Sequence, residues 1–483
     1  MTVLPSSPDR RAGSMSGVPS HLARWTGLAG STLLAISAYL GGAFPSGPLR
    51  STPVSIWQGT NGPLILAAWA VGTGLMAYAW WALRDGGPST RWALVTVGLW
   101  LLPLLVAPPF GSRDVYAYAC QGASFVGGIS PYEQGVSALP CPWLDTVSVI
   151  WRDTPAPYGP LFVLIAGAVV KITGSLTASI VLFRALSLVG VVVSAWALPA
   201  LARRAGVLPK RAVWLALGSP LIAAHLIGGP HNDVLMLAAL VGGLAVVASH
   251  PGRRGMLLVG GLLLGVAVAI KVTAVVVVPF AALAATAGPY RIRTLIRDGG
   301  WVVGGAAATV VGVTVLGGLD FGWVGGLSQG GAAVAWTSPP TAVGQTVGYV
   351  AALFGGHVDA LPVTRGIAVV LLAVLLVWLW WRARTRDPLH HAGLALALTV
   401  ALAPVVHPWY WTWPLFVLAA TARRTGWFIV VALVASFLVL PDGTGLPRYT
   451  KTVGAPLMTL LVIVLVVRLV RSARAARQPV AAD

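Results

Sequence analysis

Long apolar stretches alternate with short polar segments along most of the chain. A helix that crosses a membrane needs about 20 apolar residues, and most of these stretches come near that length. Within each stretch the apolar residues are continuous and do not alternate with polar ones, which is typical of membrane helices and not of barrel strands. The pattern predicts an all-α polytopic membrane protein. The apolar stretches are residues 25–44, 63–83, 92–109, 176–201, 212–228, 233–249, 255–270, 272–288, 300–318, 362–381, 389–406, 411–422, 426–440 and 453–470.

The composition supports this fold class and excludes others. Of the 483 residues, 57% are hydrophobic and 9% are charged, whereas a soluble domain carries about 25% charged residues. A cytosolic enzyme, a secreted enzyme and a disordered protein are therefore excluded. On a soluble chain the net charge of +19 would suggest nucleic acid. In a membrane protein basic residues orient the helices, so no nucleic-acid partner is expected.

The basic residues predict how the chain is oriented. If the N-terminus is cytoplasmic, most of the 32 Lys and Arg residues fall in cytoplasmic segments, as the positive-inside rule requires. The predicted organisation is a cytoplasmic basic N-terminal tail over residues 1–24, a transmembrane domain over 25–470 and a cytoplasmic tail over 471–483. We expect a multi-pass protein of the plasma membrane.

The acidic residues and the long loops fall on the opposite, outer side. Most of the 13 Asp and Glu residues lie there, and the two large outer loops are residues 110–158 and 319–361. Long loops are often functional, so we expect any carboxylate chemistry at the outer face. Residues 160–174 and 341–355 are apolar but short. We interpret them as half-inserted or surface helices, with two ordinary short spans as the alternative.

Asp114 follows the third apolar stretch by a few residues, at the expected membrane–water boundary. Partial burial would raise the pKa of this carboxyl and the neighbouring Arg113 would lower it. Such a carboxylate suits general-base work on a sugar hydroxyl. Alternatively, Asp114 simply begins a helix. Farther along the same loop, Arg152 and Tyr158 flank a proline-rich turn and are placed to bind an anion.

Several other polar residues near the outer face have two interpretations. His231, Asn232 and Asp233 either cap a helix or add a carboxylate and an imidazole to an outer cavity. Lys271 either reaches the interface or supplies the counter-charge of a lipid phosphate. Arg184 either faces the same cavity or pairs with a backbone carbonyl.

Near the C-terminal end, His407, Trp409 and Tyr410 belong to an aromatic cluster, which is typical of an interfacial belt. His407 could in addition line a sugar pocket. Arg448 and Lys451 lie in the last outer loop, where we expect them to meet an anionic headgroup.

Six short motifs are spread over residues 90–415. They are DVYAYACQG, SPY and TPAPYGPL in the first outer loop, GGPHND at 228–233, AIK at 269–271 and HPWYW at 407–411. Together they closely resemble the actinobacterial polyprenol-phosphomannose-dependent α-1,6-mannosyltransferases, which have the C-type glycosyltransferase fold. Pro230 departs from the GGHND run expected in that family.

The resemblance implies about 13–15 transmembrane helices with large outer loops, and Asp114 as the catalytic base. It implies that polyprenyl phosphomannose is the donor and a mannan glycolipid of the lipomannan or lipoarabinomannan core the acceptor, with inversion at the anomeric carbon. Lys271, Arg113, Arg152 and Arg184 are the candidates for binding the donor phosphate. The candidate substrate-binding residues are Tyr116, Tyr158, His231, Asn232, Asp233, His407, Trp409 and Tyr410.

No cofactor and no metal is expected, because His231 and Asp233 alone do not make a metal site. Two alternatives stay open. One is another polyprenyl-phosphate-sugar transferase, such as an arabinosyltransferase. The other is a transporter of a lipid-linked sugar, which the charges favour less because transporters place charges near the bilayer midplane.

Cys120 and Cys141 are the two cysteines of the chain, and both fall in the first outer loop. Disulfides persist outside the cytoplasm, so we expect these cysteines to be bonded to each other. Two free buried thiols are the alternative, since the spacing does not fix their separation.

Overall fold

A computed structural model describes residues 18–49, 51–138, 141–325 and 333–475. Several parts of the predicted segments lie outside the described residues: most of the N-terminal tail, Arg50, Leu139 and Pro140 of the first outer loop, 326–332 of the outer loop 319–361, and 476–483 of the C-terminal tail. The described part is built from helices, with one isolated β-bridge between Val439 and Gly445. The predicted all-α class is confirmed.

The helices follow the predicted apolar stretches closely. They are α1 Ser20–Gly41, α2 Pro53–Gln58, α3 Gly62–Ala82, α4 Thr90–Val106, α5 Asp114–Val126, α6 Pro160–Thr173, α7 Leu176–Arg204, α8 Pro209–Leu217, α9 Asp233–Ser249, α10 Arg254–Ile270, α11 Val278–Ala284, α12 Ile292–Leu316, α13 Pro339–Leu353, α14 Leu361–Ala383, α15 Pro388–Leu402, α16 Thr412–Thr421, α17 Gly426–Ala435 and α18 Lys451–Ala475.

Five of these helices, α3, α7, α12, α14 and α18, are long and apolar enough to cross a membrane. A sixth crossing is formed if α8 and the π-helical turn Ile222–Gly228, which meet at an angle of 62°, are one broken span. Further apolar helices are only 10–17 residues long. The protein is therefore a multi-pass membrane protein. The expected total of about 13–15 crossings stays a prediction, as do the half-inserted segments, which form α6 and α13.

Many helices are short because they stop at the polar motifs. The backbone leaves the helix at Lys271, which is extended (φ −148°, ψ 114°), and continues as a 3₁₀ turn over Val272–Val277. The π-helical turn ends at Gly228, and α9 begins at Asp233. Helices α7, α9 and α10 pack side by side, so these ends meet at one end of the bundle.

Glycines allow the backbones to approach closely where the motifs meet. A Cβ atom on Gly159 would collide with the backbone of Ala269, and the Gly159 amide donates to the Ile270 carbonyl (3.1 Å). The TPAPYGPL turn is thereby docked against the last turn of α10, next to Lys271. Gly122 of α5 approaches the Ala166 carbonyl of α6 in the same way.

A disulfide joins α5 to the loop that follows it. Cys120 and Cys141 are bonded, with their Cα atoms 5.4 Å apart, which is within the usual range. The bond encloses the polypeptide between the two cysteines and fixes the start of the returning segment 141–159 against α5. A loop of this size gives about 3 kcal/mol of restraint in the loop-closure account.

Alkylation of denatured protein tests the pairing. We expect no labelled cysteine before reduction and two after it, counted by mass spectrometry. The Cys120→Ala/Cys141→Ala double variant should unfold at a lower temperature than the wild type. Two labelled cysteines in denatured, unreduced protein would contradict the pairing.

Candidate active site

A cavity of about 580 Å³ opens at the start of α5. The helix ends at Gly228, Asp233 and Lys271 are not among the residues that line it. One wall is the start of α5 with Ser112 and Asp114, and a second is the segment 148–151. The opposite side carries the HPWYW motif and the segments 438–445 and 447–451. Residues that are more than 300 positions apart in sequence therefore share this cavity.

The backbone around Asp114 is fixed from two sides. The Phe110 amide donates to the Gly228 carbonyl (3.1 Å), and the Gly111 amide donates to the Pro441 carbonyl (3.0 Å). Gly111 has a φ of +68°, a conformation that favours glycine. The Ser112 hydroxyl accepts from the Asp114 amide (3.1 Å). Asp114 thus begins α5, as one interpretation of the sequence proposed, and also lines the cavity.

The Asp114 carboxylate is nearly buried and forms no salt bridge with a Lys or Arg of the described residues. Its side chain is 14% exposed, and Oδ2 lies 3.5 Å from Nδ1 of His231. Burial raises the pKa of Asp114 to about 6, and the positive charge of Lys271 opposes that rise. Hydrogen bonds from Trp151 and Ser112 also lower this pKa. The group therefore loses its proton near neutral pH, as a general base requires.

A stack of rings lies beside Asp114. His231 is stacked on Trp409 (centroids 4.0 Å apart), and Trp409 is stacked on His407 (4.6 Å). Burial lowers the pKa of His407 to about 4 and that of His231 well below its usual value, with His225 and Lys271 adding to the effect on His231. Both imidazoles are neutral at neutral pH, so neither supplies a cation to the Asp114 carboxylate.

A buried ion pair lies deeper in the site. The Lys271 ammonium donates to Asp233 Oδ1 (2.8 Å), and the Trp413 indole donates to the same oxygen (2.5 Å). Asp233 is fully buried and Lys271 is 8% exposed. The Lys271 nitrogen also lies 5.0 Å from the centre of the Tyr410 ring. This pair joins the start of α9, the end of α10 and α16.

Several buried polar atoms next to this pair have no hydrogen-bond partner within the described protein. They are Asn232 Oδ1 and Nδ2, His231 Nε2, Asp233 Oδ2 and His225 Nδ1. Buried polar groups are normally hydrogen-bonded, so these atoms are available to a ligand or to water. In the described part of the chain, no three His, Cys, Asp or Glu side chains converge as metal ligands would.

The structure places Arg184 among backbone carbonyls. Its guanidinium is buried and donates to the carbonyls of Ala107 (2.5 Å), Ile227 (3.1 Å) and Gly228 (3.1 Å). It also reaches the Leu105 carbonyl. These contacts match the second interpretation of the sequence, in which the arginine pairs with backbone carbonyls. Arg184 ties the end of α4 to the end of the π-helical turn and does not line the cavity.

Arg113 and Arg152 are also held by backbone carbonyls. Arg113 donates to the carbonyls of Phe44 (2.9 Å) and Thr146 (3.2 Å). Arg152 donates to the Val147 carbonyl (3.1 Å), and its guanidinium lies 4.0 Å from a carboxylate in the same loop. Arg113 touches the cavity, but its donors point into the protein. Both arginines therefore fix the loop walls, and this is a poorer fit to a phosphate ligand than predicted.

Tyr116 and Tyr158 lie behind the cavity instead of lining it. Tyr116 is fully buried, and its hydroxyl donates to the Ala43 carbonyl, so its predicted contact with substrate does not fit this position. Tyr158 packs edge-on against Tyr118 (5.3 Å). Tyr118 in turn places its hydroxyl 3.4 Å from His231 Nδ1. Tyr158 therefore packs against Tyr118, and Tyr118 contacts the His231 ring.

Four residues of the site were given no role from the sequence. Ser112 and Trp151 lie just before the DVYAYACQG and TPAPYGPL motifs, and nothing in the sequence shows that they contact Asp114. His225 was hidden inside the apolar stretch 212–228, although a lone histidine there is a signal. Trp413 looked like one more belt residue. In contrast, Arg448 and Lys451, expected at an anionic headgroup, do line the cavity.

Taken together, the fold and the site define a multi-pass helical membrane protein with a carboxylate-centred cavity at one end of its bundle. The chain belongs to the alpha-(1→6)-mannopyranosyltransferase family. A family model described as the N-terminal domain of alpha-(1→6)-mannopyranosyltransferase matches residues 24–287, and one described as the MptB C-terminal domain matches residues 340–470. Asp114 and Lys271 lie in the first match, and His407 and Arg448 in the second.

Curated relatives agree with this membership. An alpha-(1→6)-mannopyranosyltransferase of Mycobacterium tuberculosis is 32% identical, with 86% of this chain and 81% of that protein covered. Alpha-(1→6)-mannopyranosyltransferase A of the same organism is 31% identical, covering 89% and 85%. Alpha-(1→6)-mannopyranosyltransferase B of Corynebacterium glutamicum is 31% identical, covering 88% and 77%. No solved structure matches the chain.

The carbonyl contacts of Arg184 predict a structural phenotype. Arg184→Met should lower the unfolding temperature in detergent by several degrees, because each buried acceptor left unpaired costs about 1–3 kcal/mol. Arg203→Met, on the same helix but exposed, should leave the unfolding temperature unchanged. If Arg184→Met is as stable as the wild type but binds the donor more weakly, Arg184 binds the donor phosphate.

Proposed function

We propose that this protein is a mannosyltransferase that moves mannose from polyprenyl phosphomannose to the 6-hydroxyl of an α-1,6-mannan glycolipid, at the outer face of the plasma membrane. The observation that carries the proposal is the position of Asp114. It lines a cavity that it shares with His407 and Trp409 of the HPWYW motif, and its pKa is about 6. The names of the curated relatives support a mannopyranosyl group and an α-1,6 linkage.

In the proposed reaction, the Asp114 carboxylate accepts the proton of the acceptor hydroxyl as its oxygen attacks the anomeric carbon. The bond between that carbon and the donor phosphate oxygen breaks, and polyprenyl phosphate leaves. Attack from the side opposite the phosphate converts a β-linked donor into an α-linked product. His231 keeps the carboxylate in place from within 3.5 Å and, because it is neutral, does not neutralise it.

The walls of the cavity suit a sugar carried on a lipid. His407 and Trp409 present stacked rings to the cavity, and aromatic rings are common walls of small-molecule pockets. Val149 and Ile150 line the same cavity and are 42% and 36% exposed. An exposed apolar rim of this kind is where the polyprenyl chain would leave the cavity for the membrane.

Arg448 and Lys451 are the cations best placed for the donor phosphate. Both line the cavity with Asp114, and in the described residues neither forms a salt bridge with a carboxylate. Lys271, in contrast, is bonded to Asp233. We therefore propose that Arg448 and Lys451 stabilise the charge that develops on the leaving phosphate. The Lys271 ammonium attracts the same phosphate from a longer distance.

Replacement of the base should abolish most turnover while the fold is kept. Asp114→Asn should reduce transfer to a short α-1,6-mannoside by at least about 100-fold, because the amide cannot accept the proton. The assay uses membranes, labelled polyprenyl phosphomannose and linkage analysis of the product. Glu133→Gln, an exposed carboxylate of the same loop, is the matched control and should behave as the wild type. Normal turnover by Asp114→Asn would make Asp233 the next candidate.

The same variant gives a pH test. Because Asp114 acts only when deprotonated, kcat/KM of the wild type should rise with pH through about 6 and level off above it. The residual activity of Asp114→Asn should lack this acid limb. An identical acid limb in both proteins would show that another group produces it.

The two assignments for the phosphate predict different kinetics. Arg448→Gln and Lys451→Gln should each raise the KM for the donor at least tenfold and leave the KM for the acceptor nearly unchanged. Arg424→Gln, an exposed arginine outside the cavity, is the control. If these variants resemble the wild type while Lys271→Ala raises the donor KM, the phosphate belongs to Lys271.

A further inference from the structure

A second cavity lies at the opposite end of the bundle from Asp114. Helix α9 begins at Asp233 in the candidate active site and ends at Ser249, which places its two ends about 25 Å apart at 1.5 Å per residue. Ala248, in the last turn of α9, lines this second cavity of about 260 Å³. Its other walls are the C-terminal ends of α7, α11 and α14 and the start of α15.

Three arginines give this cavity its chemistry. Arg204, Arg384 and Arg386 line it together with one carboxylate, Asp387. In the described part of the chain none of the three arginines forms a salt bridge. One oxygen of Asp387 accepts from the Leu389 amide (2.9 Å) and so caps α15. The cavity therefore keeps a net positive charge that its own walls do not neutralise.

Two of these arginines are fixed by their neighbours in ways that leave donors free. Arg384 lies between rings, 5.1 Å from the centre of Tyr290 and directly over Trp381, and its Nε donates to the Trp381 carbonyl (3.1 Å). Arg204 donates to the Ser249 hydroxyl through Nε (3.3 Å) and to the Ser249 carbonyl through one terminal nitrogen (3.4 Å), and its other terminal nitrogen has no partner among the described residues. The terminal nitrogens of Arg384 have no partner among the contacts of the described residues, so a bidentate acceptor such as a phosphate group can bind them.

The surroundings indicate that this acceptor is carried by a lipid. Trp378 and Trp381, on the last turns of α14, are 49% and 59% exposed, and nearby Ile292 is 56% exposed. Tryptophans at helix ends are typical of the level of lipid headgroups. Basic pockets between the ends of membrane helices bind anionic headgroups.

We propose that the cavity lined by Arg204, Arg384 and Arg386 binds the phosphate-bearing headgroup of an anionic membrane phospholipid. The headgroup joins the ends of α7, α14 and α15 by accepting hydrogen bonds from the arginines, and its acyl chains lie along the exposed tryptophans of α14. This site lies at the far end of α9 from Asp114 and takes no part in mannosyl transfer. Its occupancy stabilises the helix bundle.

Thermal unfolding of the full chain in mixed micelles tests the proposal. Phosphatidylglycerol should raise the unfolding temperature of the wild type, whereas zwitterionic phosphatidylcholine should not. In the Arg384→Gln/Arg386→Gln variant, the apparent dissociation constant for phosphatidylglycerol should rise at least tenfold. Arg203→Gln/Arg293→Gln removes the same charge from exposed positions outside the cavity and should stay within twofold of the wild type.

Three other outcomes would overturn the proposal. An equal loss in both double variants would show that general surface charge attracts the lipid. A shift of the same size with inorganic phosphate alone would show that the site takes free phosphate and not a lipid. If Arg384→Gln/Arg386→Gln is already less stable in phosphatidylcholine, the single variant Arg386→Gln decides, since its side chain makes no hydrogen bond or ring contact in the described residues. Unchanged lipid affinity in that variant would contradict the proposal.

Discussion

The ion pair between Lys271 and Asp233 is the interaction on which the site depends. It is buried, and it bonds the end of α10 to the start of α9, with the Trp413 indole bound to the same oxygen. Removing one partner of a buried pair commonly costs about 3–5 kcal/mol, because the other charge is left unpaired. The break of α10 at Lys271 and the start of α9 at Asp233 both place these charges where they meet. The same pair also acts on Asp114: burial raises the pKa of Asp114 most, the positive charge of Lys271 opposes that rise, and the negative charge of Asp233 adds to it.

The positions of the helices could be predicted well from the sequence, because the helices of a membrane protein are continuous apolar stretches. It also identified most of the residues that the structure brings together, since charged and aromatic groups are conspicuous against an apolar background. Asp114, His231, Asp233, Lys271 and His407 were all candidates. The length of each helix was harder to predict. The stretch 255–270 matches α10, but the stretch 272–288 contains a 3₁₀ turn over Val272–Val277 followed by the short α11, Val278–Ala284.

The partners of the arginines could not be predicted. For Arg184 the sequence left two interpretations open, a ligand for an anion and a partner of an unidentified backbone carbonyl. Its actual partners are carbonyls at the ends of two other helix segments, 77 and 44 residues away. Backbone carbonyls carry no signature in a sequence. The same reason hid the role of Tyr116, whose hydroxyl bonds to a carbonyl from a different part of the chain.

The disulfide between Cys120 and Cys141 has a consequence for how the protein matures. One wall of the cavity, the segment 148–151, follows Cys141 closely, so its position depends on a covalent bond as well as on packing. Thiols in the cytoplasm stay reduced, and such bonds form only after export. In a newly inserted chain the helices would therefore pack together before the segment 148–151 takes its final position. With this loop at the proposed outer face, competence to bind substrate would be acquired only after the loop has crossed the membrane.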